Sequence, residues 1–190
     1  APPRAATVRM QQPWDLGRFV RTAAFFNSPD QLLKRLLPLQ PSRRGPALPL
    51  IWSAAQGTIS SANNGGFAGC RSRPLTPALD LSRYSGLRLR LRGDGNRYKL
   101  IVRDDYSWNG IAWAASFDTV AAPAEWQTVE VAWSSFVPTL FARRVPGAVL
   151  KTSAISAVQL TLSKFEYDSQ LNPRWSEGAF RLDLESISAF

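Results

Sequence analysis

Strict two-residue alternation on both sides of one short turn constrains this chain most. Leu87, Leu89 and Leu91 alternate with Arg88, Arg90 and Arg92; beyond Asp94-Gly95-Asn96, Tyr98, Leu100 and Val102 follow, interleaved with Arg97, Lys99 and, further on, Arg103. A period of two is that of a strand with one face in a core and the other outside, and it is incompatible with a helix. The three apolar residues on each side are therefore expected in the core. Asp94-Gly95-Asn96 supplies residue types that tolerate positive φ, and it reads as a hairpin turn joining the two strands.

Similar alternations, punctuated by glycine and proline, continue almost to the end. Candidate strands are 57–60, 67–72, 87–92, 97–103, 111–117, 126–133, 158–163 and 180–187. Eight strands with little helix between them predict an antiparallel β-sandwich. The 190 residues suit one such domain with an appended segment, burying roughly 70% of the unfolded surface.

The appended segment comes first. Leu16, Phe19 and Val20 are spaced for a short helix capped by Asp15, and Ser28-Pro29-Asp30 opens a second. In the second, Leu32, Leu33, Leu36 and Leu37 share one face and Gln31, Lys34 and Arg35 the other, until Pro38. Such a helix packs on its own sandwich or lies on a membrane surface. Pro38, Pro41, Pro46 and Pro49, with Arg43, Arg44 and Gly45, make a linker. The expected division is an N-terminal arm over 1–37, a linker over 38–52 and a sandwich over 53–190.

Composition removes most catalytic options. With no histidine and one cysteine, Ser-His-Asp and Cys-His arrangements, histidine-containing zinc sites, thiolate clusters and internal disulfides are excluded. Cys70 reads as a small buried hydrophobe, and a lone cysteine fits a reducing compartment. Asp104 and Asp105, as neighbours on a strand, project to opposite faces. Glu166 and Asp168 would share a face about 6.5–7 Å apart in an extended chain, enough for a carboxylate pair or half a calcium site. Ser169, Asn172 and Pro173 favour a surface turn instead, with Lys164 and Arg174 neutralising the acids. Asn63-Asn64-Gly65-Gly66 reads as a tight turn, with a nest of backbone amides for an anion as the alternative.

Net charge is +9, and the cations are mostly arginine. In a hairpin, Arg88, Arg90, Arg92, Arg97, Lys99 and Arg103 would share one outer face. Each adjacent like pair at about 5 Å would cost on the order of 0.8 kcal/mol in water. Docking on an acidic protein surface would relieve that repulsion; RNA and anionic lipid are further anionic partners, and simple solvation is the other reading. Trp113, Trp126 and Trp133 belong to strands and to packing, whereas Trp108 and Trp175 fall in loops and are candidate contacts, a glycan included. No apolar run approaches the roughly 20 residues of a membrane-spanning helix. The start, from Ala1 through Pro2, Pro3, Arg4 and Arg9 with no acid before Asp15, is expected to be what an organelle transit peptide leaves after cleavage.

Three segments together resemble the CIA30 domain family, complex I intermediate-associated protein 30. They are Asn63-Asn64-Gly65-Gly66-Phe67 running to Arg71, the stretch from Leu91 to Leu100, and Ser163-Lys164-Phe165-Glu166-Tyr167-Asp168. Trp126 and the Phe180-Arg181-Leu182-Asp183-Leu184 strand stand in the family's order. The resemblance implies a galactose-binding-like jelly roll, and with the catalytic options removed by composition the chain is expected to be a non-catalytic binding module. Trp14-Asp15-Leu16-Gly17-Arg18-Phe19, Phe25-Phe26-Asn27 and Leu171-Asn172-Pro173 are similar to plant and algal proteins that fuse this domain to an atypical short-chain dehydrogenase module. The implied role is an assembly factor, scaffold or accessory subunit of a chloroplast membrane complex, in the stroma or at the thylakoid, with mitochondrial complex I assembly in the matrix as the alternative.

No glycine-rich strand-to-helix turn follows any candidate strand, so no cofactor is expected. Titration calorimetry with NADPH should give no saturable heat, and micromolar binding would overturn this reading.

Overall fold

A computed structural model describes residues 24–25, 47–48, 53–62, 65–107, 109–121 and 125–190. Its strands are β1 (Ala24–Phe25), β2 (Ala47–Leu48), β3 (Ser53–Ile59), β4 (Phe67–Arg71), β5 (Gly86–Arg92), β6 (Arg97–Arg103), β7 (Ala112–Asp118), β8 (Gln127–Ala132), β9 (Val137–Leu140), β10 (Arg143–Arg144), β11 (Ala157–Ser163) and β12 (Gly178–Ala189). They form a jelly-roll sandwich. One sheet has seven strands in the order β1-β4-β11-β6-β7-β9-β10; the other has the order β2-β12-β5-β8, with β3 also on β12. Every pairing is antiparallel except that of β1 with β4. Among the described residues there is no α-helix, and the one-turn 3-10 segments include Trp133–Ser135 and Thr152–Ala154. The two helices expected before residue 38 lie outside the described residues.

Each of the eight expected strands is present, displaced by a few residues at its ends. The six alternating apolar residues are 0–2% exposed and lie at the centre of the core. The turn between them is not a hairpin, because β5 lies in one sheet and β6 in the other. Gly93–Asn96 is a crossover between layers, so Leu87, Leu89 and Leu91 face Tyr98, Leu100 and Val102 across the core. Alternation says which side chains go inward, but two strands that pair and two that face each other carry the same pattern. Burying each leucine stabilises the sandwich by about 1.5–3 kcal/mol, so the crossover brings together much of what holds the layers.

Thr119 and Asp94 fix the crossover. The Thr119 hydroxyl accepts from Gly95 N at 3.0 Å and donates to Asn96 O at 2.8 Å, while Thr119 N also reaches Asn96 O. Asp94 accepts from Asn96 N at 3.0 Å, from the Tyr98 hydroxyl at 2.9 Å and from Arg181 N at 2.7 Å. It thereby binds the crossover to the core and to β12. Burial, with this carboxylate alongside, holds Tyr98 protonated well above the ordinary phenol range.

Gly93 has to be glycine here, since a Cβ would stand 2.1 Å from the Thr119 Cβ. Gly147 has φ +76 with nothing within 4 Å, so alanine there meets only backbone strain. Gly93→Ala should therefore cost about 2–3 kcal/mol and Gly147→Ala about 1 kcal/mol in urea unfolding. Equal costs would refute the packing account of the crossover.

Candidate functional site

After β11 the chain folds back as a strap, residues 164–173, over the outer face of β6 and β7. Phe165 bridges Leu171, and Tyr167 O accepts from Gln170 N at 3.0 Å across Asp168 and Ser169. These two residues have φ 53° and 67°, the signature of a type I′ turn. Asn172 closes the base. Its side-chain amide donates to Arg97 O and Ser163 O, both at 2.9 Å, and its oxygen accepts from Arg174 N. Lys164 N donates to Gly66 O at 2.6 Å, so the glycine turn before β4 also abuts the strap.

The underside of the strap is polar and buried. Lys99 points outward from β6 as expected but is only 6% exposed, because the strap covers it. Its ammonium donates to Phe165 O and Glu166 O, each at 2.5 Å, and lies 4.9 Å from the Tyr167 ring centre. Burial pushes its pKa down to about 8 against the opposing pull of Glu166. The Glu166 carboxylate accepts from Arg97 Nε at 3.1 Å and from the Ser116 hydroxyl, and Arg97 also donates to Asp118 at 3.0 Å. The Tyr167 hydroxyl donates to Ala114 O at 3.0 Å, and burial raises its pKa.

The far end of the strap meets the β9–β10 turn. Leu140 pairs with Arg143, leaving Phe141 and Ala142 as the turn, with φ 50° and 60°. Asp168 N donates to Ala142 O at 2.9 Å, Arg144 N donates to the Asp168 carboxylate at 2.9 Å, and the Arg144 guanidinium pairs with it at 3.1 Å. Two I′ turns are thus joined by one backbone bond, one backbone-to-carboxylate bond and one ion pair. A left-handed backbone costs about 1–2 kcal/mol for an ordinary L-residue, less for aspartate, so Phe141 and Ala142 are the strained pair.

The expected single face of six cations does not form. Arg88, Arg90 and Arg92 lie on the five-strand sheet, and Arg97, Lys99 and Arg103 on the seven-strand sheet, because β5 and β6 do not pair. Nor are acids scarce around them. Arg88 meets Glu130 at 2.6 Å, Arg90 meets Glu185 at 2.5 Å, and Arg92 meets Asp183 at 2.9 Å while lying 4.6 Å from the Trp126 ring centre. Arg103 donates to Gly110 O at 3.0 Å. These acids come from β8 and β12, far along the chain, where charge patterning within one segment gives no sign of them. Trp175 is half-buried against the core with Lys164 above it, and Trp108 lies outside the described residues.

Glu166 and Asp168 do not make a carboxylate pair. Glu166 turns inward to Arg97 and Ser116, whereas Asp168 turns outward to Arg144, and Lys164 and Arg174 neutralise neither. Asp104 accepts from Lys151 N and Asp105 from Ser107 N. Cys70 is buried in the core, which raises its thiol pKa to about 12. Among the described residues no three acidic or thiol groups gather to hold a metal, and no helix is long and apolar enough to cross a membrane. Sequence reasoning missed Ser116, Tyr167 and Asn172 as parts of one cluster and gave no sign of the Phe141-Ala142 turn.

Residues 53–184 match the family model of complex I intermediate-associated protein 30 (CIA30). Among solved structures, a family 11 carbohydrate-binding module from a cellulosomal cellulase of Clostridium thermocellum is 16% identical, with TM-score 0.48 over 74% of this chain and 88% of that one. The C. thermocellum module in complex with a β-1,3-1,4-mixed-linked tetrasaccharide gives 16% and 0.47 over 74% and 89%. An exo-β-agarase gives 13% and 0.42 over 73% and 20%. Identities this low say nothing of what the chain binds. No match is found among curated proteins.

The Lys99 ammonium sets a pH dependence. Its folded pKa lies below the unfolded value of 10.5, so the unfolded chain binds the extra proton between about pH 8 and that value. The cost of burying the charge is fully present below about pH 8, and stability rises with pH through the window. Urea unfolding of wild type and Lys99→Met at about pH 7.5 and about pH 10 should show the wild type gaining on the variant at the higher pH. A difference that stays constant or moves the other way would contradict the buried charge.

Proposed function

The chain belongs to the CIA30 family, and from that premise we propose that it is a non-catalytic protein-binding module, an assembly factor, scaffold or accessory subunit of a chloroplast membrane complex at the thylakoid. One observation carries the reading. Three polar residues beneath or at the base of the strap, Lys99, Glu166 and Asn172, are 5–9% exposed and are satisfied by the backbone, Arg97 and Ser116. Groups so enclosed are out of a substrate's reach. They hold a strap in one conformation, and a fixed outer surface is what a binding partner needs.

The net charge of +9 favours an acidic client. Arg88 and Arg90 keep half-exposed side chains on the five-strand sheet, where client carboxylates would compete with Glu130 and Glu185. The family's description supports a second reading, assembly of respiratory complex I in the mitochondrial matrix. The chloroplast reading rests on the tryptophan-led segment near residue 14 and the Leu171-Asn172-Pro173 stretch.

Affinity purification of the tagged chain from fractionated organelles, with mass spectrometry of what co-purifies, decides between them. Subunits of a thylakoid complex are expected, released as salt rises and the roughly 8–10 Å reach of surface charge shortens. Respiratory subunits would replace the first reading by the second, and RNA or no complex at all would refute both.

A further inference from the structure

Among the described residues four non-glycine residues have positive φ: Phe141, Ala142, Asp168 and Ser169. All four stand in the two turns that bond to each other through Ala142 O and Asp168 N. Backbone strain gathered at one place is a mark of function when the surrounding structure enforces it, and here Asp168 does so from the strap. Asparagine or glycine would suit the β9–β10 turn, yet a phenylalanine stands there with 80% of its surface exposed. Leu140 beside it is 39% exposed. Arg143 and Arg144 follow, both exposed, and Arg143 has no acidic partner among the described residues.

We propose that the β9–β10 tip is a preorganised docking knob: Phe141, backed by Leu140, enters an apolar pocket of a client protein whose acidic rim faces Arg143 and Arg144. This rests on the chain being a protein-binding module. Aromatic residues and arginine are enriched at the centres of protein interfaces, and an apolar knob beside cations calls for a pocket with an acidic edge. Rigidity selects the occupant. A lipid surface takes up a mobile aromatic as readily as a fixed one. A shaped pocket gains from a side chain whose direction is already set by two left-handed residues and by the Asp168 contacts, because less freedom is lost on binding.

The test places a photo-crosslinking phenylalanine analogue at position 141 and, as control, at exposed Val120 beyond the opposite end of β7, in cells of the source organism. Adducts from position 141 should fall on one protein, identified by mass spectrometry, on an apolar peptide flanked by acids. Position 120 should give none. With that protein purified, Phe141→Gly should weaken binding by about tenfold or more, as loss of an interface anchor does. Its melting temperature should be equal or higher, since glycine accepts the left-handed backbone. Phe141→Trp should bind within about threefold of wild type.

Scattered or absent adducts, or Phe141→Gly binding like wild type, would overturn the knob. Phe141-dependent sedimentation with phosphatidylglycerol vesicles, with no protein adduct, would overturn it in favour of a membrane. If the wild-type chain co-purifies complex subunits while position 141 stays silent, the knob fails and the assembly reading stands. Adducts on a single protein outside any membrane complex give the converse.

Discussion

An ammonium group taken out of water must find acceptors, and Lys99 finds two backbone carbonyls of the strap above it. With the strap down those carbonyls are required, because an unmatched buried charge would cost far more than one ordinary hydrogen bond returns. They offset the burial only in part, and the strap's own backbone bonds, with the Glu166, Tyr167 and Asn172 contacts, hold it in place. The rest of the outer face follows. Phe165 and Glu166 held by their carbonyls place the Glu166 carboxylate against Arg97 and Ser116, set the Tyr167 hydroxyl on Ala114 O, and deliver Asp168 to the β9–β10 turn. Asn172 then returns the chain to the base of β6.

The crossover at Gly93–Asn96 is the other fixed point, and it connects to the first through β6. Asp94 and Thr119 set where β6 begins, and β6 carries Arg97 and Lys99 outward and Tyr98 and Leu100 inward from the same few residues. Segments of the chain far apart in sequence therefore meet on one strand. The family-like stretches before β4, along β6 and after β11 look like separate motifs in the sequence; in the fold they are the glycine turn, the floor and the cover of one structure.

The sequence reveals what depends on local pattern and hides what depends on pairing. Alternation around Asp94-Gly95-Asn96 identified the six core residues correctly, because burial acts on each strand by itself. It could not tell pairing from facing, and the hairpin reading failed for that reason, taking with it the single face of six cations. The partners of Arg88, Arg90 and Arg92 come from β8 and β12, and which acids would be neighbours is decided only when the sheet closes. Glu166 was recognisable as part of a motif, but its burial depends on Arg97 and Ser116, each some 50 residues or more away. Val137-Pro138-Thr139-Leu140 was masked as a strand by its proline, and Phe141-Ala142 carries none of the residues that announce a turn.

The central claim is that these polar residues build a rigid outer surface in place of a reactive or opening site. Native-state hydrogen exchange of the amides of Lys164, Glu166, Asp168, Gln170 and Asn172 tests it most directly, since each donates within the strap or to what it touches. They should exchange only as fast as global unfolding allows, with the same protection as β6 amides. Exchange orders of magnitude faster than the sheet would show a strap that opens on its own, and the surface it is said to fix would not exist.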